Sequence, residues 1–584
     1  MTTVRADGGG ILVETAAYRL EVAASGLVAR LVSLDGETLL ELRPLAAVDT
    51  AGAPDETLSV EGPALVSEEP PTIEVRRRST VWDEALTRIV CREDAVELQT
   101  AVRGRGSLDV VRLLAFRSLL PGAPNGLMPS GSRLRALFSP NPDDPRRFFR
   151  PASEPAAIGV VGDSEPGRGR WFFTPAPLFL GLSRDGEAPW LGLGVVAPVE
   201  ELAFPELRYE PLDRAFCLAL EYEGHTHVDG ELALPALVLA PGFVDPYDAL
   251  RAHRDVLVEA GAAPPPAPRG RPAWWSEPIF CGWGAQCALA ADAGVPAAAL
   301  ATRDSYDRFL AALARQELVP GIVVIDDKWQ ETYGANEPDT AKWPDLRGWI
   351  AGRHEAGQHV LLWWKAWDAE GLPPELCVRN PDGEPLGLDP SNPSARARLR
   401  EVVHGLLAPA GLDADGLKID FTARTPSGRA AAAAGPGWGI ALLHELLAVV
   451  HAAAKEAKPD ALVVTHTPHP AFVDVTDMIR LNDMIRLEDP DAPPSVLPQM
   501  RHRAAVVRAA CPELLVDTDD WQAPSLAEWR AYLREKAALG VPALYYATHV
   551  DSTGEALEPE DYARLRTAWG EWRAGRAAAE ELAS

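Results

Sequence analysis

The rhythm of apolar positions divides the chain in two. Up to about residue 245 the apolar residues come in short β-branched or alternating runs, among them PTIEVRRRSTVW, DAVELQTAVRG, SLDVVRLLAFRS, PWLGLGVVAP and RAFCLALEYEG. Gly, Pro, Asp and Asn punctuate them, and alternation broken by turn residues predicts strands. Many such strands in succession predict a β-sandwich rather than a parallel α/β unit. DPYDALRAHRDVLVEAG then reads as a helix, and AAPPPAPRGRP as a break, because proline suits neither helix interiors nor central strands. The expected domains are an N-terminal β-sandwich over 1–245, a helical and Pro-rich linker over 246–272, and a second domain over 273–584.

Past the break, apolar runs alternate with longer amphipathic stretches. The runs are PIFCGW (278–283), GIVVIDDKW (321–329), HVLLWWKA (359–366), GLKIDF (416–421), ALVVTHT (461–467), DMIRLND (477–483), ELLVDTD (513–519) and ALYYATH (543–549). Between them, stretches such as SYDRFLAALARQ and GIALLHELLAVVHAAAKEA carry apolar residues at i, i+3, i+4 and i+7, the helical period. Eight strand–helix alternations in about 300 residues are the count and length of a (β/α)8 TIM barrel. The predicted fold class is therefore α/β, a barrel preceded by a sandwich, with an open doubly wound sheet as the competing architecture.

Composition narrows the partners. The chain has 584 residues and a formal net charge of −28, which argues against nucleic acid or an anionic membrane surface. No run of eighteen apolar residues predicts a membrane span, and the N-terminal twenty residues lack a signal-peptide core. The six cysteines are scattered with no C-x-x-C pair, so neither a disulfide framework nor a cysteine metal site is expected. The expected setting is cytoplasmic, with a homo-oligomer left open.

Polar residues gather where the predicted strands end, the rim on which barrel active sites are built. The ring comprises Asp326 and Asp327, Lys365, Lys418 and Asp420, His466 and His469, Arg480 and Asp483, Asp517 to Asp520, and His549 with Asp551. Helix capping accounts for some single aspartates. Lys418 and Asp420 are two apart on one strand and share a face, and a neighbouring cation favours an ionised nucleophile; a structural salt bridge is the plainer reading. Asp483, two strands onward, is positioned to be a general acid and then base. Paired carboxylates of this kind cleave glycosidic acetals. Tryptophans near strand ends suit the apolar face of a pyranose, with Trp283, Trp329 and Trp364 favoured, although many such rings fill cores. THTPHP invites a metal reading, with His466 and His469 as ligands and Asp326 or Asp519 as partners, but it lacks helical i, i+4 spacing. No dinucleotide or P-loop signature follows any strand, so no cofactor is expected.

IDDKW followed by KWPDLRGWIAGRHEAGQHVLLWW resembles the second and third strands of the melibiase-type α-galactosidases of glycoside hydrolase clan D. DGLKIDF resembles that clan's Lys-x-Asp strand, and RLND its sixth-strand Arg…Asp segment. The resemblance implies that Asp420 is the nucleophile, Asp483 the acid/base, and Asp326 and Asp327 the residues holding the terminal sugar. WWSEPIFCGWG and LLVDTDDWQAPSLAEWRAYLREKAALGVPALYYATH resemble the first and the seventh to eighth strands of the related α-glucosidase/α-xylosidase family. Departures are the THTPHP segment in place of the Cys- and Gly-rich fifth strand, and the missing C-terminal β domain. Asp474 and Asp477 compete with Asp483 for the acid/base role.

The expectation is a retaining, exo-acting α-glycoside hydrolase acting on a small glycoside or oligosaccharide. Lys418, Asp326, Asp327 and the three tryptophans would hold the sugar, with His466, Arg480 and Asp519 as lining. A transglycosylase, a metal-dependent barrel hydrolase or isomerase using His466 and His469, and a non-hydrolytic sugar-binding protein remain alternatives.

Overall fold

The computed structural model describes residues 2–142, 144–162, 172–266, 270–484 and 492–583. Within them the N-terminal part has twenty strands, from Thr3–Asp7 to Ala236–Phe243, joined in one hydrogen-bonded network, with one 3₁₀ turn at Val199–Glu201. Nearly all pairings are antiparallel; the ladder of Arg117 and Ser118 with Glu56 and Thr57 is parallel. Two long strands, Val96–Leu113 and Ala215–Ala233, form its spine, in register from Ala101 opposite Ala233 to Leu113 opposite Leu218 with one shift near Leu108. The expected alternation is plain in Pro71–Ser79, where Pro71, Ile73, Val75 and Arg77 are buried and the residues between them are not. Arg77 can occupy a core position because Asp55 takes its fork at 2.9 and 2.5 Å.

Strands Phe179–Ser183 and Trp190–Val196 are buried almost throughout. The helix Pro246–Glu259 packs on them, started by Pro246 at its first position and capped by Asp245, which accepts from Tyr247 N at 2.7 Å. The Pro-rich stretch follows it; its residues 267–269 lie outside the described residues.

Eight parallel strands make the second half: β1 (Ile279–Cys281), β2 (Ile322–Ile325), β3 (His359–Lys365), β4 (Gly416–Asp420), β5 (Leu462–Thr465), β6 (Met478–Arg480), β7 (Leu515–Asp517) and β8 (Ala543–Leu544). They pair in chain order, and β8 returns to β1. The cylinder is nearly closed, because β7 meets β8 through one bridge, Asp517 to Val541, with Val541 N on Val516 O at 2.7 Å. Period two sends Ile279, Cys281, Ile322, Val324, Leu361, Leu462, Val464, Met478 and Ala543 into the barrel interior. One alternation departs from the sequence expectation. β5 reaches β6 through a single 3₁₀ turn, Pro470–Phe472, rather than a helix.

Gly416 opens β4, and a Cβ there would lie 2.0 Å from Leu462 O and 2.8 Å from the Leu361 side chain. Neighbouring backbone cannot yield as a side chain would, so overpacking at Gly416→Val should destabilise by about 3 kcal/mol. Thermal melting measures it, and an unchanged melting point would show that β4 does not sit this tightly on β5.

Candidate active site

Asp420 and Asp483 meet on one guanidinium. Arg480, at the end of β6, gives Nη2 to Asp420 Oδ1 at 3.1 Å and Nη1 to Asp483 Oδ1 at 2.8 Å. The same Nη1 lies 2.7 Å from Asp519 Oδ2. A guanidinium is a rigid planar fork, so the two nearer carboxyl oxygens lie no more than about 8 Å apart. Three buried or half-buried carboxylates around one cation need that cation to be always charged, which arginine is.

Asp420 ends β4 on the interior face. Its Oδ1 also accepts Phe421 N at 2.8 Å, and its Oδ2 accepts Trp363 Nε1 at 3.2 Å. Burial alone would raise its pKa, but Arg480, His466 and Lys418 outweigh burial and hold the carboxyl well below the usual range. Asp483 has the opposite balance. Burial within the pocket walls and the charges of Asp519 and Asp420 outweigh Arg480 and push it up to about 6. Its side chain is still 37% exposed and that of Asp420 22%, so both are open to a ligand.

The turn bearing Asp483 is pinned from outside the barrel. Arg503, on the helix Val496–Ala510, donates Nη1 to the carbonyls of Leu481, Asn482 and Asp483, each at 2.8 Å. Phe172 from the N-terminal half lies 3.6 Å beneath that guanidinium, and Asn482 donates its amide to the Phe172 carbonyl. Phe421 and Asn482, the residues adjoining the two carboxylates, both have left-handed φ, 60° and 69°. Lys328 and Asp519, on the rim after β2 and β7, also have positive φ, at 71° and 35°. Such angles in non-glycine residues cost about 1–3 kcal/mol each and gather where side chains must be aimed.

One layer deeper lies a second ion pair. Lys418 Nζ is 2.6 Å from Asp326 Oδ2, and the Cys281 thiol donates to that oxygen at 3.0 Å. All three are buried. Alternate residues on a strand lie about 7 Å apart, so Lys418 faces Asp326 across the barrel floor and reaches Asp420 only through its field. The expected direct pairing of Lys418 with Asp420 is thus replaced by Lys418–Asp326, and Arg480 is the cation on Asp420. Burial would lower the Lys418 pKa; Asp326 above all raises it beyond its ordinary value. Asp327, beside Asp326 and half-buried, accepts Tyr333 OH at 2.9 Å and is pushed up to about 6, mainly by burial.

The aromatic residues sort differently from the expectation. Trp329 is wholly buried, with Nε1 on Trp363 O at 2.8 Å, and presents no face to a sugar. Trp364 lies on the opposite side of β3 from Trp363 and is buried with the helix layer. Trp363 touches the carboxylate instead; β3 is apolar on both faces, so its phase was not readable from the run. Trp283 starts the helix after β1 half-buried, edge-on to Trp521 at 5.6 Å between ring centroids. Tyr333, Cys281 and Arg503 were not singled out by the sequence; Tyr333 had a signal in its closeness to IDDKW, Arg503 none.

Of the acid/base candidates only Asp483 joins Asp420. Asp477 precedes β6 at the opposite barrel end, held by Lys455 at 2.8 Å and His451 at 3.3 Å. Asp474 is 51% exposed beside His444. Asp519 is fully buried behind Arg480 and aims the guanidinium rather than lining the cavity. His466 Nε2 meets Thr422 Oγ at 2.7 Å with Nδ1 3.9 Å from Asp420, whereas His469 Nδ1 accepts Ala471 N at 3.1 Å. The two imidazoles serve different partners, and no group of three or more His, Cys, Asp or Glu is gathered as a metal site among the described residues. No helix among the described residues is long and apolar enough to cross a membrane.

Solved structures share this architecture. The α-galactosidase TtGalA of Thermus thermophilus, solved with stachyose, superposes at a TM-score of 0.52 with 18% identity, over 83% of this chain and 97% of that one. The GH36 α-galactosidase AgaB of Geobacillus stearothermophilus gives 0.54 with 12% identity, over 99% and 86%. The cycloalternan-degrading enzyme of Trueperella pyogenes gives 0.53 with 14% identity, over 94% and 75%. The chain has their fold. By sequence, no family model and no curated protein matches it.

Removing one member of a buried ion pair strands the other. Lys418→Met should therefore cost about 3–5 kcal/mol in urea unfolding, and adding Asp326→Leu should recover part of that loss. A single variant as stable as the parent would mean the pair is not desolvated.

Proposed function

We propose that the chain is a retaining, exo-acting α-glycoside hydrolase. It releases one terminal sugar, galactose or a close relative, from a small glycoside or oligosaccharide. The observation that carries this reading is a pair of carboxyl groups sharing Arg480 whose proton affinities are shifted in opposite directions, down for Asp420 and up for Asp483. Asp420, ionised and facing the cavity, attacks the anomeric carbon and forms a glycosyl ester. Asp483, carrying a proton, gives it to the departing oxygen and later takes one from the water that cleaves the ester. Arg480 keeps Asp420 anionic without holding Asp483 ionised to the same degree, because burial and two neighbouring aspartates oppose it there.

Asp327 and the Lys418–Asp326 pair supply acceptors and a cation for ring hydroxyls, and Trp363, itself buried, fixes Asp420 Oδ2 through its indole N–H. The likeness in fold to α-galactosidases, one solved with stachyose and with p-nitrophenyl α-D-galactopyranoside, supports the choice of sugar.

A panel of aryl α- and β-glycosides, with NMR identifying the anomer first released, tests sugar, linkage and stereochemistry together. Hydrolysis of an α-glycoside with retention is expected, and inversion would remove the nucleophile. Asp420→Ala should lose turnover by at least about 10⁴-fold, with azide restoring some rate as a glycosyl azide. Full activity in that variant would end the assignment.

The pH profile follows from the signs of the two shifts. Asp420 stays ionised well into acid, so loss of its charge limits the rate only at low pH. Asp483 must keep its proton, so kcat/KM should fall about tenfold per pH unit above about 6. Substrates with strongly acidic leaving groups need no proton, and for them this alkaline fall should flatten. A profile rising through pH 8 would contradict the acid assignment.

A further inference from the structure

Around Asp420 one neighbour has no partner of its own on the side that faces the carboxylate. His466 is buried at the end of β5, its Nδ1 unpaired and 3.9 Å from Asp420 Oδ1. Its other nitrogen is tied, through two hydroxyls, to the N-terminal half. Nε2 lies 2.7 Å from Thr422 Oγ, Thr422 Oγ contacts Thr174 Oγ, and Thr174 N returns a bond to His466 O at 3.0 Å. Thr174 and Thr422 are buried as completely as the ring.

Proton counting orders this chain. Thr422 has one hydroxyl proton and three acceptors within reach, His466 Nε2 at 2.7 Å, the Thr174 carbonyl at 3.1 Å and Thr174 Oγ. Of these an unprotonated imidazole nitrogen is the most basic and takes the proton best. The negative charge of Asp420 also draws the ring proton to Nδ1, which leaves Nε2 bare and ready to accept. With its own proton committed, Thr422 Oγ can only accept from Thr174, so Thr174 must donate. The three groups then point one way, hydroxyl to hydroxyl to imidazole to carboxylate, and each polarises the next.

We propose that Thr174, supplied by the N-terminal domain, is a positioning residue that with Thr422 fixes His466 as its Nδ1–H tautomer, directing the ring proton at Asp420. At 3.9 Å that proton acts on the carboxylate through space, beyond hydrogen-bond length. Its significance for turnover rests on the glycosidase reading above, where Asp420 must be an anion before attack and again when the ester breaks.

The test uses the full-length protein labelled with ¹⁵N-histidine, with the His466 resonances assigned by their loss in His466→Gln. A bare ring nitrogen resonates far downfield of a protonated one, so the spectrum reads the tautomer directly. Nδ1–H is expected in the parent, and Nε2–H there would overturn the proposal. Thr174→Val, nearly the same shape, should move the Nε2 resonance toward that of a weakly bonded nitrogen and lower kcat/KM about tenfold. Thr174→Ser should restore both. A Thr174→Val protein matching the parent in resonance and rate would also overturn the proposal. Should no glycoside be turned over by the parent, the glycosidase reading fails while the spectrum still decides the tautomer.

Discussion

Three acidic side chains from three parts of the barrel rim converge on the guanidinium of Arg480, and the geometry of the site hangs on that convergence. Two strands carry Asp420 and Asp519 up to it, and the turn after its own strand brings Asp483 back. Without a permanent cation at this point, carboxylates so close would repel one another and one or more would protonate. With it, the arrangement is asymmetric. Asp420 has in addition a backbone amide, an indole N–H and the fields of His466 and Lys418, whereas Asp483 has acidic neighbours. Unequal solvation by the protein, rather than any difference between the two amino acids, assigns them different proton affinities.

Much of this was legible in the chain. Eight apolar runs of strand length with polar residues at their ends announce a barrel and its rim, and Lys418, Asp420, Arg480 and Asp483 could be named because their spacing places them there. Phase was less legible. HVLLWWKA is apolar on both faces, so nothing in it says whether Trp363 or Trp364 points inward, and the structure chooses Trp363. Depth was also hidden. Lys418 and Asp420 share a face, but whether the lysine meets its strand neighbour or an acid across the floor depends on Asp326 standing opposite, a distant contact. Arg503 could not have been picked out, since it lies on a helix among other arginines and matters only through the carbonyls it reaches.

The N-terminal strands are more than a cover for the barrel. Residues 172–174 touch the turn that carries Asp483, the guanidinium that pins that turn, and the Thr422 hydroxyl two residues past Asp420. The short β5–β6 connection makes room for this approach, because a helix there is replaced by one 3₁₀ turn. Two departures from a regular barrel, a missing helix and an intruding loop from another domain, are therefore parts of one arrangement.

The seam between β7 and β8 gives the cylinder an uneven strength around its girth. Where other neighbouring strands share ladders, this junction relies on one bridge and a few bonds around Thr518 and Val541. Asp519, which braces Arg480 from behind, stands two residues past the bridged Asp517. A fluctuation that unzips the seam would slacken that brace while the remaining staves stay joined. Warming should then disarm the site before the molecule melts, and amide exchange at Thr518 and Val541 would register the opening first.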